Sequence, residues 1–192
     1  MWHQFMPMEF LTTPIKDLIV MKPKRFEDSR GYFMETYRKD LLTPYVGDVA
    51  FVQDNESRSV RGVLRGLHLQ TGEHAQAKLI RVTTGTVFDV AVDLRANSKT
   101  FGQWYGIELS EDNALMMFVP RGFAHGFIVL SDIAKFNYKV DNYYAPQSEI
   151  TIAYNDPELN IAWPDAGINN ILSRRDSEHA ISFDDFKKLY NI

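Results

Sequence analysis

The amino-acid sequence predicts one all-β domain in which short antiparallel strands form a sandwich or a barrel. Three observations lead to this prediction. Aromatic residues make up 13% of the 192 residues, a content that favours strands over a helical bundle. Short apolar runs with a period of two recur along the chain, and turn-forming residues separate them. The length suffices for one domain with a hydrophobic core and is too short for two large ones.

Residues 86–94 show the period of two most clearly. The even positions, from Thr86 to Leu94, form a mainly apolar face, whereas the odd positions include Asp89 and Asp93 and form a more polar one. This alternation predicts a strand with a core side and a polar side. Similar runs predict strands at residues 18–21, 32–37, 49–53, 63–69, 79–83, 105–109, 116–119, 126–130, 135–140 and 150–154.

Helical patterns are confined to residues 38–45 and 184–190. In the second segment Phe186 and Leu189 lie three residues apart, as on one helix face. The sequence contains no internal repeat, low-complexity tract or linker-like stretch. We therefore expect a single domain over residues 1–192, with a peripheral N-terminal arm and a short C-terminal helix.

Composition and charge exclude several classes of protein. The net charge of −4 gives no electrostatic reason to expect nucleic acid or an anionic membrane as a partner. The chain has no cysteine, which excludes disulfides, a cysteine nucleophile and thiolate-ligated metal sites. No apolar run reaches the ~20 residues of a membrane-spanning helix. The first residues lack the features of a secretory signal, so we expect a cytoplasmic protein.

Two histidines lie in settings that suit catalysis. His68 lies on a predicted strand three residues after Arg65, and His125 follows a turn that leads into an apolar strand. A neutral imidazole has a pKa of ~6.5 and can take a proton at neutral pH. A carboxylate on its other nitrogen would fix the tautomer, but spacing alone does not choose it among the 25 acidic residues.

A metal site is disfavoured by the residues around these histidines. The stretch from Pro120 through Gly122 to His125 resembles the second half of the cupin metal signature. The first half requires two histidines one residue apart, where this chain has His68 and Gln70. Glutamine is a poor ligand for zinc or iron, so we expect no bound metal.

Basic and aromatic residues near His68 suit an anionic, planar ligand. Arg65 and Lys78 flank this histidine in the predicted sheet, and arginine binds phosphate oxygens in a bidentate manner. The pair Tyr143 and Tyr144 suits stacking on a planar base. The sequence has no Gly-x-Ser-x-Gly elbow, P-loop or dinucleotide-binding motif, so hydrolase, kinase and dehydrogenase functions lack support.

Several stretches together resemble the dTDP-4-dehydrorhamnose 3,5-epimerase family. They follow the family order from about residue 15 to residue 182, nearly the whole chain. The matching stretches are FEDSRGYF (26–33), FVQDN (51–55), LRGLH (64–68), VFDVAVDLR (87–95), PRGFAHGF (120–127) and ILSRRD (171–176).

The resemblance implies a cupin-type jelly-roll β-sandwich with short peripheral helices, acting as a homodimer without metal or cofactor. It implies a dTDP-linked 4-keto-6-deoxyhexose as substrate. The implied reaction converts dTDP-4-dehydro-6-deoxy-D-glucose to dTDP-4-dehydro-L-rhamnose by inversion at C3 and C5. Proton removal beside the ketone would form an enolate, and reprotonation from the opposite face would invert each carbon.

Site residues also follow from the resemblance. It implies that His68 is the base, that Asp176 orients it, that Tyr138 is the acid and that Lys78 lies near the ketone oxygen. Arg30, Phe33 and Glu35 match a segment that reaches the neighbouring subunit's site. The other residues that match substrate contacts are Gln53, Asp54, Asn55, Arg65, His125, Tyr144, Glu149 and Arg175.

Two departures from the family leave alternatives open. Leu69 stands where an aromatic residue is usual, and Ala77 where glycine is common. Both adjoin predicted site residues, so a mono-epimerase that inverts only C3 or only C5 is an alternative. A non-catalytic sugar-nucleotide-binding cupin and a metal-dependent cupin are more distant alternatives.

Overall fold

A computed structural model describes residues 7–192, which form two packed antiparallel sheets and a separate hairpin. The strands are β1 (Met8–Thr12), β2 (Ile19–Pro23), β3 (Phe26–Asp28), β4 (Gly31–Phe33), β5 (Gln53–Val60), β6 (Leu64–Gln70), β7 (Lys78–Thr84), β8 (Thr86–Asp93), β9 (Trp104–Ser110), β10 (Met116–Val119), β11 (Phe123–Val129), β12 (Ile133–Val140) and β13 (Glu149–Thr151). The helices are α1 (Lys39–Val46), α2 (Arg174–Glu178) and α3 (Phe183–Tyr190), with 3₁₀ turns at Gly72–His74 and Pro146–Ser148. This architecture confirms the predicted all-β sandwich with short helices.

The strand order departs from the chain order in both sheets. The six-stranded sheet has the order β1-β2-β10-β7-β12-β5, and the five-stranded sheet has the order β13-β6-β11-β8-β9. Within residues 7–192, strands β3 and β4 pair only with each other. No helix among residues 7–192 is long and apolar enough to cross a membrane.

The main core lies between the two sheets. It includes Ile80 and Met117 from the six-stranded sheet and Val87, Ala91 and Leu109 from the five-stranded one, all with negligible exposure. Facing apolar side chains of this kind fill the gap of a sandwich. The hydrophobic effect of this buried area is the main stabilising contribution to the fold.

Both outer faces of the sandwich are also covered. Val90 and Val92 on the five-stranded sheet pack with Phe183 and Phe186 of α3. On the six-stranded sheet, Leu42 of α1 belongs to a third apolar cluster. Because α3 covers it, the five-stranded sheet is buried on both sides. Helix α3 lies where the sequence predicts the short C-terminal helix.

Strand β8 corrects the expectation of a polar side. Asp89 and Asp93 are fully buried, and their neighbours Val87 and Ala91 belong to the core between the sheets. The acidic face of this strand therefore points into the sandwich. The apolar face points outwards, towards α3.

Other element boundaries differ from the sequence predictions. The strand predicted at 49–53 lies instead at Gln53–Val60, where polar side chains carry no apolar pattern and full pairing with β12 holds the strand. Strand β4 ends at Phe33, before the predicted end at residue 37, and β13 ends at Thr151. Residues 1–6 of the predicted N-terminal arm lie outside the described residues, and Met8–Thr12 forms an edge strand.

Two glycines bring β6 and β11 close together. A Cβ on Gly66 would lie 2.5 Å from the Cα of Gly126, and Gly66 has a φ of +125° that L side chains rarely adopt. The register shifts beside this contact and sets His68 directly opposite His125. Close packing of the two backbones thus places the two histidines side by side.

We expect the core between the sheets to dominate stability. Leu109→Ala should lower the free energy of unfolding by about 2–5 kcal/mol, because it empties a fully buried site. The control Leu189→Ala, at a side chain that is 62% exposed, should change it by less than about 0.5 kcal/mol. Urea denaturation measures both values, and equal losses would contradict the assignment of this core.

Candidate active site

A cavity of about 410 Å³ opens between the two sheets and is lined by residues of β5, β6, β7, β11 and β12. Ten of the predicted site residues line it, together with Glu56, Ser57, Gln76, Phe127 and Phe136. The ten are Gln53, Asn55, Arg65, His68, Lys78, His125, Tyr138, Tyr144, Glu149 and Arg175.

His68 is held by a buried carboxylate behind the cavity. Its Nε2 lies 2.6 Å from Oδ1 of Asp176, whose residue is only 4% exposed. Asp176 lies in α2, and its Oδ2 accepts a hydrogen bond from the Ser173 hydroxyl at 2.7 Å. Burial would raise the pKa of Asp176, but the hydrogen bonds from His68 and Ser173 outweigh it and lower that pKa. The carboxylate is thus charged, accepts the Nε2 proton and leaves Nδ1 of His68 as the proton acceptor.

A second histidine–aspartate pair lies beside the first. Nε2 of His125 lies 2.9 Å from Oδ1 and 3.0 Å from Oδ2 of Asp89, and both residues are buried. Burial lowers the pKa of His125; the Asp89 carboxylate opposes this effect, while Lys78 and His68 add to it. His125 is therefore neutral at neutral pH. Sequence reasoning missed Asp89, because its alternation with apolar residues predicts a solvated face and no local signal identifies it as the partner of His125.

Lys78 and Tyr138 have pKa values shifted in opposite directions. Burial lowers the pKa of Lys78 to about 8, against the opposing charges of Glu149 and Asp89. Burial also raises the pKa of Tyr138, and the negative charge of Glu149 raises it further. At neutral pH the lysine is mainly charged, and the phenol keeps its proton.

Three side chains form a hydrogen-bonded group at the rim of the cavity. The Tyr144 hydroxyl donates to Oε2 of Glu149 at 2.7 Å, and Nη1 of Arg175 donates to the same oxygen. This bond to Glu149 raises the pKa of Tyr144. Tyr144 is 44% exposed, and an exposed aromatic side chain suits stacking on a planar ligand.

The polar residues of β5 divide between two sides of the sheet. Nε2 of Gln53 donates to Oδ1 of Asn55 at 2.9 Å, and both residues line the cavity. Asp54 lies on the other face, where Lys139 Nζ donates to it at 2.8 Å. It lines a neighbouring cavity of about 390 Å³, so the structure does not bring Asp54 into the candidate site.

Arg30, Phe33 and Glu35 also lie away from this cavity. The hairpin of β3 and β4 leaves Phe33 68% exposed, and Arg30 pairs with Asp28 of the same hairpin. Glu35 pairs with Arg38 at 3.2 Å. Within one chain these predicted contacts are therefore not in place.

The two departures from the family do not line the cavity either. The side chain of Leu69 belongs to the outer apolar cluster of the five-stranded sheet. That of Ala77 packs with Leu79 and Phe118 on the outer face of the other sheet. The structure therefore gives no support to an effect of these two side chains through contact with a ligand.

The histidines of the site are each paired with one carboxylate and are not grouped as metal ligands are. In the part of the chain that the structure describes, no three histidine or acidic side chains are grouped so as to hold a metal ion. His68 and His125 each face their own carboxylate instead. The cavity is lined by two imidazoles, two phenols, one ammonium group and two guanidinium groups.

Comparison with known proteins places this geometry in a family. A profile described as dTDP-4-dehydrorhamnose 3,5-epimerase matches residues 12–184. The enzyme of that name from Escherichia coli is 49% identical over 183 residues, which cover 95% of this chain and 98% of that protein.

Solved structures agree with the sequence match. The dTDP-4-dehydrorhamnose 3,5-epimerase of Elizabethkingia anophelis has a TM-score of 0.89 and 52% identity, covering 93% of this chain and 98% of that one. A dTDP-6-deoxy-D-glucose-3,5-epimerase from Legionella pneumophila, in complex with dTDP-4-keto-L-rhamnose, has a TM-score of 0.85 and 48% identity, covering 88% and 90%. The cupin-type jelly roll is thereby confirmed, and this chain belongs to the dTDP-4-dehydrorhamnose 3,5-epimerase family.

Proposed function

We propose that this protein epimerises C3 and C5 of dTDP-4-dehydro-6-deoxy-D-glucose and releases dTDP-4-dehydro-L-rhamnose. The observation that carries the proposal is the pair of His68 and Tyr138, which face one cavity from opposite sheets. The Legionella relative was solved with dTDP-4-keto-L-rhamnose, the product of the proposed reaction.

The ketone at C4 makes the hydrogens on C3 and C5 acidic, because the carbanion is delocalised onto oxygen as an enolate. Lys78 lies in the same cavity as the proposed base and carries the positive charge needed at the developing oxyanion. A charge or donor at such a position stabilises the transition state by about 3–4 kcal/mol in comparable enzymes. We assign this role to Lys78.

Inversion requires removal of a proton on one face of the ring and its return on the other. In each step Nδ1 of His68 takes the proton from carbon, and the electron pair moves onto the C4 oxygen. The Tyr138 hydroxyl then protonates the same carbon as the carbonyl reforms, and solvent restores both side chains. His68 comes from the five-stranded sheet and Tyr138 from the six-stranded sheet, which supports proton removal on one face of the sugar ring and proton return on the other.

The rest of the cavity suits the nucleotide. Arg65 and Arg175 line it and supply positive charge for a diphosphate. Tyr144 would stack on the thymine, and Glu149 holds both Tyr144 and Arg175 through hydrogen bonds. We assign His125 to the sugar and phosphate contacts, and Gln53 and Asn55 to the base and sugar.

A homodimer with shared sites accounts for the exposed hairpin. Phe33 and Tyr32 are 68% and 55% exposed at its end, an arrangement typical of an interaction surface. Arg30 lies beside them and away from its own chain's cavity. We propose that this hairpin, followed by Glu35, completes the site of a partner subunit.

Solvent exchange tests the double epimerisation directly. In heavy water the wild-type protein should introduce deuterium at both C3 and C5 of dTDP-4-dehydro-6-deoxy-D-glucose, because each inversion draws its new proton from solvent through Tyr138. Mass spectrometry and proton NMR count the label at each carbon. Label at one carbon only would indicate a mono-epimerase, and binding without label would indicate a non-catalytic protein.

Removal of the base should stop exchange and leave binding. His68→Ala should lower the exchange rate at both carbons by about 10²–10⁴-fold, the usual contribution of a positioned acid or base. Binding of dTDP, measured by calorimetry, should persist, because His68 faces the sugar rather than the base. The control His179→Ala alters an exposed histidine and should change neither quantity. Unchanged exchange in His68→Ala would refute the assignment of the base.

The charge on Lys78 should limit activity at high pH. Its pKa is lowered to about 8, so the ammonium group is lost, and the enolate loses its stabilising charge, as the pH rises through that value. The rate of exchange should therefore fall above about pH 8. Lys78→Arg should be slower but should keep its rate across this range, since arginine stays charged. A fall at the same pH in Lys78→Arg would assign the titration to another group.

A further inference from the structure

The loop that carries Tyr144 is tied to both sheets by two glutamine side chains. The backbone N–H of Tyr144 donates to Oε1 of Gln53 at 3.4 Å. The next N–H, of Ala145, donates to Oε1 of Gln70 at 2.9 Å. Gln53 begins β5 in the six-stranded sheet, and Gln70 ends β6 in the five-stranded sheet. Consecutive peptide groups are thus held by residues of opposite sheets.

The bond to Gln70 is the stronger of the two. Gln70 and Ala145 are each only 5% exposed, so their hydrogen bond is shielded from water. The bond to Gln53 is longer and exposed. Loss of the Gln70 acceptor would leave a buried N–H unsatisfied, which makes this bond the main restraint on the loop.

Gln70 also lies next to Glu149, the residue that binds the hydroxyl group of Tyr144. It lies directly opposite Glu149 in the pairing of β6 with β13. Glu149 accepts the hydrogen bond from the Tyr144 hydroxyl. One pair of strands therefore holds Tyr144 at both its backbone end and its hydroxyl end, which defines the position and tilt of the ring.

The amide nitrogen of Gln70, unlike its oxygen, does not hold the loop in place. Its Nε2 has no hydrogen-bond partner among the described residues. Gln70 does not line the cavity, so it does not touch the reacting atoms. Its contribution to the protein's own hydrogen bonding is the acceptor Oε1.

We infer that Gln70 is a positioning residue for nucleobase recognition: through Ala145 it holds the Tyr144 ring where it stacks on the thymine of dTDP. This inference rests on the proposed function, which assigns stacking to Tyr144. Gln70 thereby determines affinity for the base, while His68, two residues earlier on the same strand, determines the chemistry.

Calorimetry with two probes tests this role. Gln70→Met keeps the size of the side chain and removes the acceptor, and it should weaken dTDP binding by about tenfold, as expected for one lost hydrogen bond. Binding of inorganic pyrophosphate, which has no base to stack, should stay within about twofold. The KM for the sugar nucleotide should rise about tenfold with kcat within about twofold. The control Gln147→Met, at an exposed glutamine of the same loop, should change none of these.

A double-mutant cycle separates positioning from general damage. In a Tyr144→Ala background, Gln70→Met should cause no further loss of dTDP affinity, because the ring that it positions is absent. Equal losses in both backgrounds, or equal weakening of dTDP and pyrophosphate, would overturn the inference. If the wild type binds dTDP and Gln70→Met binds it equally well, the inference about Gln70 is overturned and the proposed function is not. Absence of dTDP binding by the wild type would overturn the proposed function as well.

Discussion

Two buried carboxylates, Asp89 on β8 inside the sandwich and Asp176 on helix α2, need hydrogen-bond donors, and the arrangement of the site follows from that need. An ionised carboxylate without partners in a protein interior costs several kcal/mol. Each of the two is paired with the imidazole of a histidine, at 2.6 Å for His68 and 2.9 Å for His125. The same bonds fix which ring nitrogen carries a proton. Satisfying the buried charge and preparing the base are therefore one interaction.

The backbone contact between β6 and β11 keeps these two pairs adjacent. Gly66 and Gly126 allow the strands to approach more closely than any side chain would permit. Lys78 lies in the same cavity, where the negative charges of Glu149 and Asp89 oppose the loss of its proton, and its own positive charge helps to lower the pKa of His125. Removing one of these groups would change the protonation of its neighbours, so the site behaves as a coupled set.

Sequence reasoning could predict the residues whose settings are local. His68 and His125 stood out because of their strands and turns, whereas the partner of His68 lies 108 residues away, and only the family resemblance pointed to Asp176. Asp89 could not be predicted as a site residue, because an acidic strand face is usually solvated, while here that face is buried by the other sheet. Strand β5 could not be predicted either, since its polar residues are held by pairing with β12 rather than by an apolar pattern.

The placement of His68 and Tyr138 on different sheets links stereochemistry to architecture. Packed sheets lie about 10 Å apart, a distance set by the side chains that fill the whole sandwich. In the proposed reaction the width of that gap lets a single pyranose ring fit between the proton acceptor, His68, and the proton donor, Tyr138. The handedness of the product would then depend on the rigid core and not on the surrounding loops. The loops could change to accept other sugars without altering the relative positions of His68 and Tyr138.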